Sequence, residues 1–154
     1  MITDANRYYG AVFSKIIDFS NNEVSIQRAP PDHSGFYIVR KEIPIYIKYS
    51  TKRHGPWSFN FYQNHQECQE NLYEKHGECI MIFVCGKDGI AALKHEEFRK
   101  VLDHEFEEQK TVIIRRKHNE MYSISGKNGV LDRKVSRGSL EEIFKYIAQR
   151  DGVA

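Results

Sequence analysis

Lys48 is the residue of this chain with the clearest chemistry open to it. It lies in Ile43-Pro-Ile-Tyr-Ile-Lys-Tyr-Ser50, whose strict alternation predicts a strand with Ile45, Ile47 and Tyr49 on one face and Tyr46 and Lys48 on the other. A lysine held on a strand among large apolar side chains, beside a basic turn, is suited to meeting phosphate. The turn follows at once: Lys52, Arg53 and His54, stopped by Gly55-Pro56. A second alternating stretch puts Trp57, Phe59 and Phe61 on one face and Ser58, Asn60 and Tyr62 on the other. Residues 43–61 therefore predict an antiparallel hairpin with a cationic turn.

Metal-assisted cleavage of a phosphodiester needs at least two carboxylates beside such a lysine. The acids hold magnesium through oxygen, and the lysine places or activates the attacking water. The candidate acids are Asp32, Glu42 and, from the next helix, Glu67 or Glu70. Tyr46 occupies the same-face position two residues before Lys48, where an acid is expected in such a site. Magnesium is thus implied only for an active nuclease. Binding without cleavage requires less. Lys48, Lys52 and Arg53 are candidates for phosphate contact, with Arg115, Arg116 and Lys117 from a later strand end. Trp57 is a candidate for stacking on a base. An aromatic stripe at strand period also describes a core strand, and a basic run also describes a solvated strand end.

Other chemistries find less support. His65-x-x-Cys68 and His76-x-x-Cys79 supply four zinc-type ligands. The stretch between them reads as helix, and at about 1.5 Å rise per residue the two pairs sit at its opposite ends, too far apart to share an ion. No metal site is assigned. Cys85 closes a very apolar strand, where a free cysteine is a small core residue, and no catalytic-triad signature accompanies it. Gly86-Lys-Asp-Gly89 lacks the third glycine and the following helix of a dinucleotide-binding loop, and there is no P-loop.

The elements that must position these residues follow from periodicity. Thr3 or Asp4 caps a helix to about Ile17, with Tyr9, Val12, Phe13, Ile16 and Ile17 inward. Gly10 inside it suggests the close approach of another backbone. Strands are predicted at 24–28, 36–40, 43–50 and 57–62, with a loop of Pro and Gly at 29–35. Asn64 and Glu67 suggest a capping box for a mostly exposed helix from 65 to 76. Residues 79–85 form a strand apolar on both faces, turned by 86–89 into 90–93. A helix from His95 to about Gln109 carries Phe98, Val101, Leu102 and Phe106 inward and acids outward. Strands at 111–116, 121–125 and 130–135 follow, and Ser139 with Glu142 suggests a capping box for a last helix. The whole predicts one domain, 1–154, of α/β or α+β class: a mixed central sheet flanked by helices.

At 154 residues, with 40% hydrophobic and 12% aromatic residues, the chain has the material for one core. No apolar run reaches the ~20 residues of a membrane span, and the N-terminus lacks a signal-peptide pattern, so a cytoplasmic protein is expected. Three cysteines fit reduced thiols. The net charge of +2 is unevenly spread: the first 60 residues and the last 44 are basic, and the middle is acidic. If the ends fold together they form a basic face, suited to DNA or RNA. The alternative partner is a protein that meets the acidic face of helix 95–109. A homodimer is compatible with either.

The order helix, three strands with a lysine on the third, helix, strand resembles the core of the PD-(D/E)XK, or restriction-endonuclease-like, superfamily. That family carries an acid on its second core strand and an acid-x-lysine triplet on its third. Here the triplet position reads Tyr46-Ile-Lys48, in which the lysine matches, and Pro31-Asp32 looks like the family's Pro-Asp. Some members move the second acid to the following helix, which points to Glu67 or Glu70. The resemblance implies a nuclease relative that is divergent or has lost its metal site, or an active magnesium nuclease using Lys48 with Asp32, Glu42 or Glu67. Ile47-Lys-Tyr-Ser-Thr-Lys-Arg53, Pro56-Trp-Ser-Phe-Asn-Phe61 and Val84-Cys-Gly-Lys-Asp-Gly-Ile90 are also similar to a recurring group of small bacterial and archaeal proteins. By analogy, small relatives of nucleases act in DNA transactions or as regulators in conflicts between hosts and mobile elements.

Overall fold

The computed structural model describes residues 1–29, 34–106 and 108–151. The elements are α1 (Asp4–Phe19), β1 (Ile26–Arg28), β2 (Phe36–Val39), β3 (Ile43–Ser50), β4 (Trp57–Phe61), α2 (Gln63–His76), β5 (Ile80–Cys85), β6 (Gly89–Leu93), α3 (His95–Val101), β7 (Lys110–Arg115), β8 (Ser123–Gly126), β9 (Gly129–Val130) and α4 (Ser139–Arg150). They form a single α+β domain with two sheets. One is mixed and five-stranded, in the order β1-β2-β3-β5-β6; the other is antiparallel and four-stranded, in the order β4-β7-β8-β9. No helix among the described residues is long and apolar enough to cross a membrane.

The five-stranded sheet is buried on both faces, and residue alternation decides what each face meets. Ile45 and Ile47 of β3, with Ile80, Ile82 and Val84 of β5, pack against Val12 and Ile16 of α1 and Ile143, Phe144 and Ile147 of α4. Tyr46, Met81 and Phe83 point the other way, into a core shared with α2, α3 and the second sheet (Phe59, Phe61, Val112, Ile124). β3 and β5 run parallel, with Lys48 opposite Phe83 and Ser50 opposite Cys85. β5 is buried along its full length, as its apolar run predicts.

Four sequence expectations are corrected. Residues 43–61 do not form a hairpin: β3 and β4 belong to different sheets, and β4 pairs with β7. Alternation identified both strands, but their partners were set by the large rings, since Phe59 and Phe61 pack edge-on against Phe83 from across the core. α3 stops at Val101, and Leu102 is extended. Asp103 there accepts bonds from Lys110 Nζ (2.6 Å) and Asn128 Nδ2 (2.9 Å), which draws the chain away from the helix axis. α2 begins at Gln63, so Asn64 lies inside its first turn and caps nothing. Ser139 caps nothing either: its hydroxyl accepts from Ala92 N at 2.9 Å and ties α4 to the outer edge of β6. The Thr3 cap of α1 forms as expected, with Asn6 completing a capping box.

Candidate nucleic-acid interface

Lys48 stands near the end of β3 on the face shared with Tyr46. Its ammonium lies 5.1 Å from the Phe61 ring centroid and 5.7 Å from that of Tyr46. Burial lowers its pKa from the ordinary 10.5 to about 8. The lysine is therefore held by aromatic faces in place of carboxylates.

Among the described candidate acids, Glu42 and Glu67 are exposed and Glu70 is paired with Arg99. Glu42 is exposed and precedes β3, six residues back along an extended strand, or about 20 Å. Glu67 is exposed on α2 and accepts from Gln63 Nε2 at 3.0 Å. Glu70 is committed to Arg99, whose Nη2 and Nε donate to it at 2.7 and 3.2 Å. The same arginine donates to Gln69 Oε1 at 2.7 Å, so the Gln69 amide nitrogen faces His95 Nδ1 at 2.7 Å. This leaves the proton of neutral His95 on Nε2, 3.4 Å from Glu70. Burial lowers the His95 pKa to about 4, which agrees with a neutral ring. Asp32 lies outside the described residues. Among the described residues no group of three metal-ligating side chains occurs. Among the described residues the rings of Tyr46 and Phe61 face the ammonium, and two aromatic rings do not fit magnesium.

The cations of the two later stretches do converge. β3 and β5 end together, β4 begins beside them, and Trp57 of β4 is paired with Ile114 of β7. The segments that leave these strands therefore meet at one end of the molecule. Gly86 N donates to Ser50 O at 3.0 Å. Gly86 also has φ +55°, and a β-carbon there would stand 2.2 Å from Lys52 O, so the 86–88 turn fits directly beneath the 51–56 loop only with glycine. Segments 51–56, 86–88, 115–120 and 136–138 together hold seven Lys/Arg against two Asp/Glu, net +5 where the whole chain carries +2.

These seven cations are not equivalent. Arg116 is half of a bidentate pair with Asp88 (2.7 and 2.9 Å) and is largely buried. Asp88 also accepts from Tyr122 Oη at 2.7 Å and from Arg137 Nη2 at 3.1 Å. Arg116, with these bonds foremost, holds the Asp88 carboxyl down at about 2. Arg116 is thus a strut of the surface and not a free phosphate ligand. Trp57 is 2% exposed, offers no stacking face to a base, and meets Tyr122 edge-on. Its indole donates to Lys52 O at 3.0 Å, and Lys52 Nζ donates to Pro56 O at 3.0 Å, so the tryptophan anchors the basic loop from below. Lys52, Arg53, Lys87, Arg115 and Lys117 remain exposed. Sequence reasoning missed Lys87, Arg137 and the Asp88 hub, because only the turn chemistry of Gly86-Lys-Asp-Gly89 was visible locally.

Three of the six acids in the stretch 95–109 form internal pairs. Glu97 binds Arg133, Asp103 binds Lys110 and Glu108 binds Lys127. No protein-family model, no curated protein and no solved structure matches the chain.

Proposed function

We propose that this chain is a nucleic-acid-associated protein of restriction-endonuclease-like fold that binds phosphate backbone and does not cut it. The observation that carries the reading is the convergence of Lys52, Arg53, Lys87, Arg115 and Lys117 at one end of both sheets, on loops pinned from below by Trp57, Gly86 and Asp88. Cations on a fixed frame lose little entropy when they meet a fixed row of phosphates. The fold assignment is supported by the order within the five-stranded sheet: α1, an antiparallel β1-β2-β3 meander, then, after β4 of the other sheet and α2, β5 parallel to β3. In this reading Lys48 keeps its place in the ancestral site while Tyr46 and Phe61 fill the room the acids vacated.

The test is fluorescence anisotropy with labelled DNA and RNA of about 20 nucleotides, single- and double-stranded. Binding is expected to weaken steeply as salt rises. The variant K52A/R53A/R115A/K117A is expected to bind at least ~10-fold more weakly at low salt while keeping its melting temperature, since all four side chains are exposed. Absence of binding at low salt, or equal affinity at low and high salt, overturns the proposal.

A further inference from the structure

Beside the basic end lies a hollow of about 350 Å³ between α1 and the β5–β6 turn. Its rim carries Arg7, Lys15 and Lys87, its wall includes Tyr8, and its floor is Val84 and Ile90. Among the described residues no carboxylate lines it. Arg7 and Lys15 are eight residues apart on α1, so they stand on one helix face about 12 Å apart. Ala11, midway between them, leaves the space open. The Arg7 guanidinium lies 3.5 Å from Asp4, an exposed pair of the kind worth about 0–1 kcal/mol, and 6.0 Å from the Tyr8 ring centroid. Tyr8 is stacked on Tyr49 at 5.1 Å between centroids, which fixes the ring as a flat wall. Beyond Lys15 a second hollow of about 300 Å³ is bounded by Asp18 and Glu141.

We infer that this hollow is a binding site for a nucleoside phosphomonoester, with the phosphate among Arg7, Lys15 and Lys87 and the nucleoside against Tyr8, Val84 and Ile90. Three cations, with the exposed Asp4 beside Arg7 as the carboxylate nearest them among the described contacts, favour a dianion. The volume exceeds what a bare phosphate fills and falls at the small end of ligand sites. An aromatic wall and an apolar floor suit a base or sugar. The inference builds on the nucleic-acid reading, because Lys87 belongs to both surfaces and a strand lying on the basic end can deliver its phosphorylated terminus here. The same chemistry is offered by a free mononucleotide, and the test separates the two sources.

AMP and adenosine are titrated by NMR, and one single-stranded oligonucleotide is compared with and without a 5′-phosphate. AMP is expected to shift the Tyr8 and Ile90 signals and to bind at least ~10-fold more tightly than adenosine, and the 5′-phosphate to tighten oligonucleotide binding roughly 10-fold. Both preferences are expected to vanish in R7A/K15A, whose two exposed side chains leave the fold intact, as a thermal melt checks. A preference for the phosphorylated strand without AMP binding supports the site with the strand end as its source. AMP binding without any oligonucleotide binding supports the site while overturning the nucleic-acid reading. If neither phosphate is preferred over its dephosphorylated partner, or if R7A/K15A keeps the preference, the inference is overturned even where oligonucleotides still bind.

Discussion

At the scale of single residues, Lys48 and Asp88 are opposite cases. Lys48 is a partly buried cation with aromatic neighbours and, among the described residues, no ion-pair partner, so the fold disfavours its charge: its pKa falls from 10.5 to about 8. Below pH 8 folded and unfolded chains both carry the proton, and the cost of burying it is present in full. Between about pH 8 and 10.5 the unfolded chain binds more protons, so stability rises with pH across that window. The ring faces offset part of the cost. Lys48→Met is therefore expected to stabilise the protein by about 1 kcal/mol at pH 7, a gain that shrinks toward zero by pH 10.5. Urea melts at both pH values measure it; a loss of stability at pH 7 would mean that Lys48 has an acid partner. Asp88 is the reverse. Its pKa is lowered from 3.8 to about 2, chiefly by Arg116, so its contribution is present above pH 4 and is lost as pH falls toward 2. Asp88→Asn leaves Arg116 without its counter-charge and is expected to cost about 2–4 kcal/mol at pH 7 by denaturant melt, with no such penalty at pH 2.

At the scale of elements, two glycines with different surroundings give opposite predictions. Gly10 lies inside α1, where a β-carbon would meet nothing within 4 Å. Among the described residues the close backbone contact suggested by its position in the sequence is absent, and Gly10→Ala is expected to stabilise the protein by about 0.5–1 kcal/mol. Gly86 holds φ +55° beneath Lys52 O, so Gly86→Ala is expected to cost roughly 2–4 kcal/mol and to displace the 51–56 loop. Its thermal melt and its DNA affinity should fall together, whereas surface-charge variants should lower affinity alone. This contrast shows what the sequence made legible. Element existence was readable nearly throughout, because alternation and helical periodicity are local signals: β3, β4 and β5 were all placed. Pairing was not, because it depends on which apolar faces meet. Trp57 looked like a member of a hairpin and a stacking candidate; it is a core residue whose indole holds the basic loop. α3 looked longer than it is, because Leu102 and Phe106 kept the helical period while Asp103 was drawn to Lys110 and Asn128. Of the candidate site, Lys52, Arg53 and Arg115 to Lys117 were found as separate runs. Their meeting at one end follows from β4 pairing with β7, a contact between residues more than fifty apart in sequence.

At the scale of the whole molecule, the proposed nucleic-acid binding turns on how many of the seven converging cations are open to phosphate. Net charge alone does not decide it, since +2 spread over a chain of 154 residues steers weakly. Disposition does. Arg116 and Arg137 already face Asp88, and releasing either to a phosphate leaves that carboxylate short of a partner. The remaining five are Lys52, Arg53, Lys87, Arg115 and Lys117. Each phosphate neutralised on duplex DNA contributes about −0.9 to the slope of log affinity against log salt, so five contacts give about −4.5, or roughly a 500-fold loss between about 50 and 200 mM salt. All seven would give about −6.3, a loss of several thousand-fold over the same range. The two slopes are separable by anisotropy titrations at four or five salt concentrations. The five-contact value is expected for the native protein, and removing Lys52 and Arg53 together should reduce the slope by about 1.8. Arg116→Lys should leave the slope unchanged while lowering the melting temperature, because a lysine cannot make the bidentate contact with Asp88 but also adds no free charge. A slope that steepens in that variant would show that Arg116 is held back from DNA by Asp88, and a slope that flattens would place Arg116 on the phosphates after all.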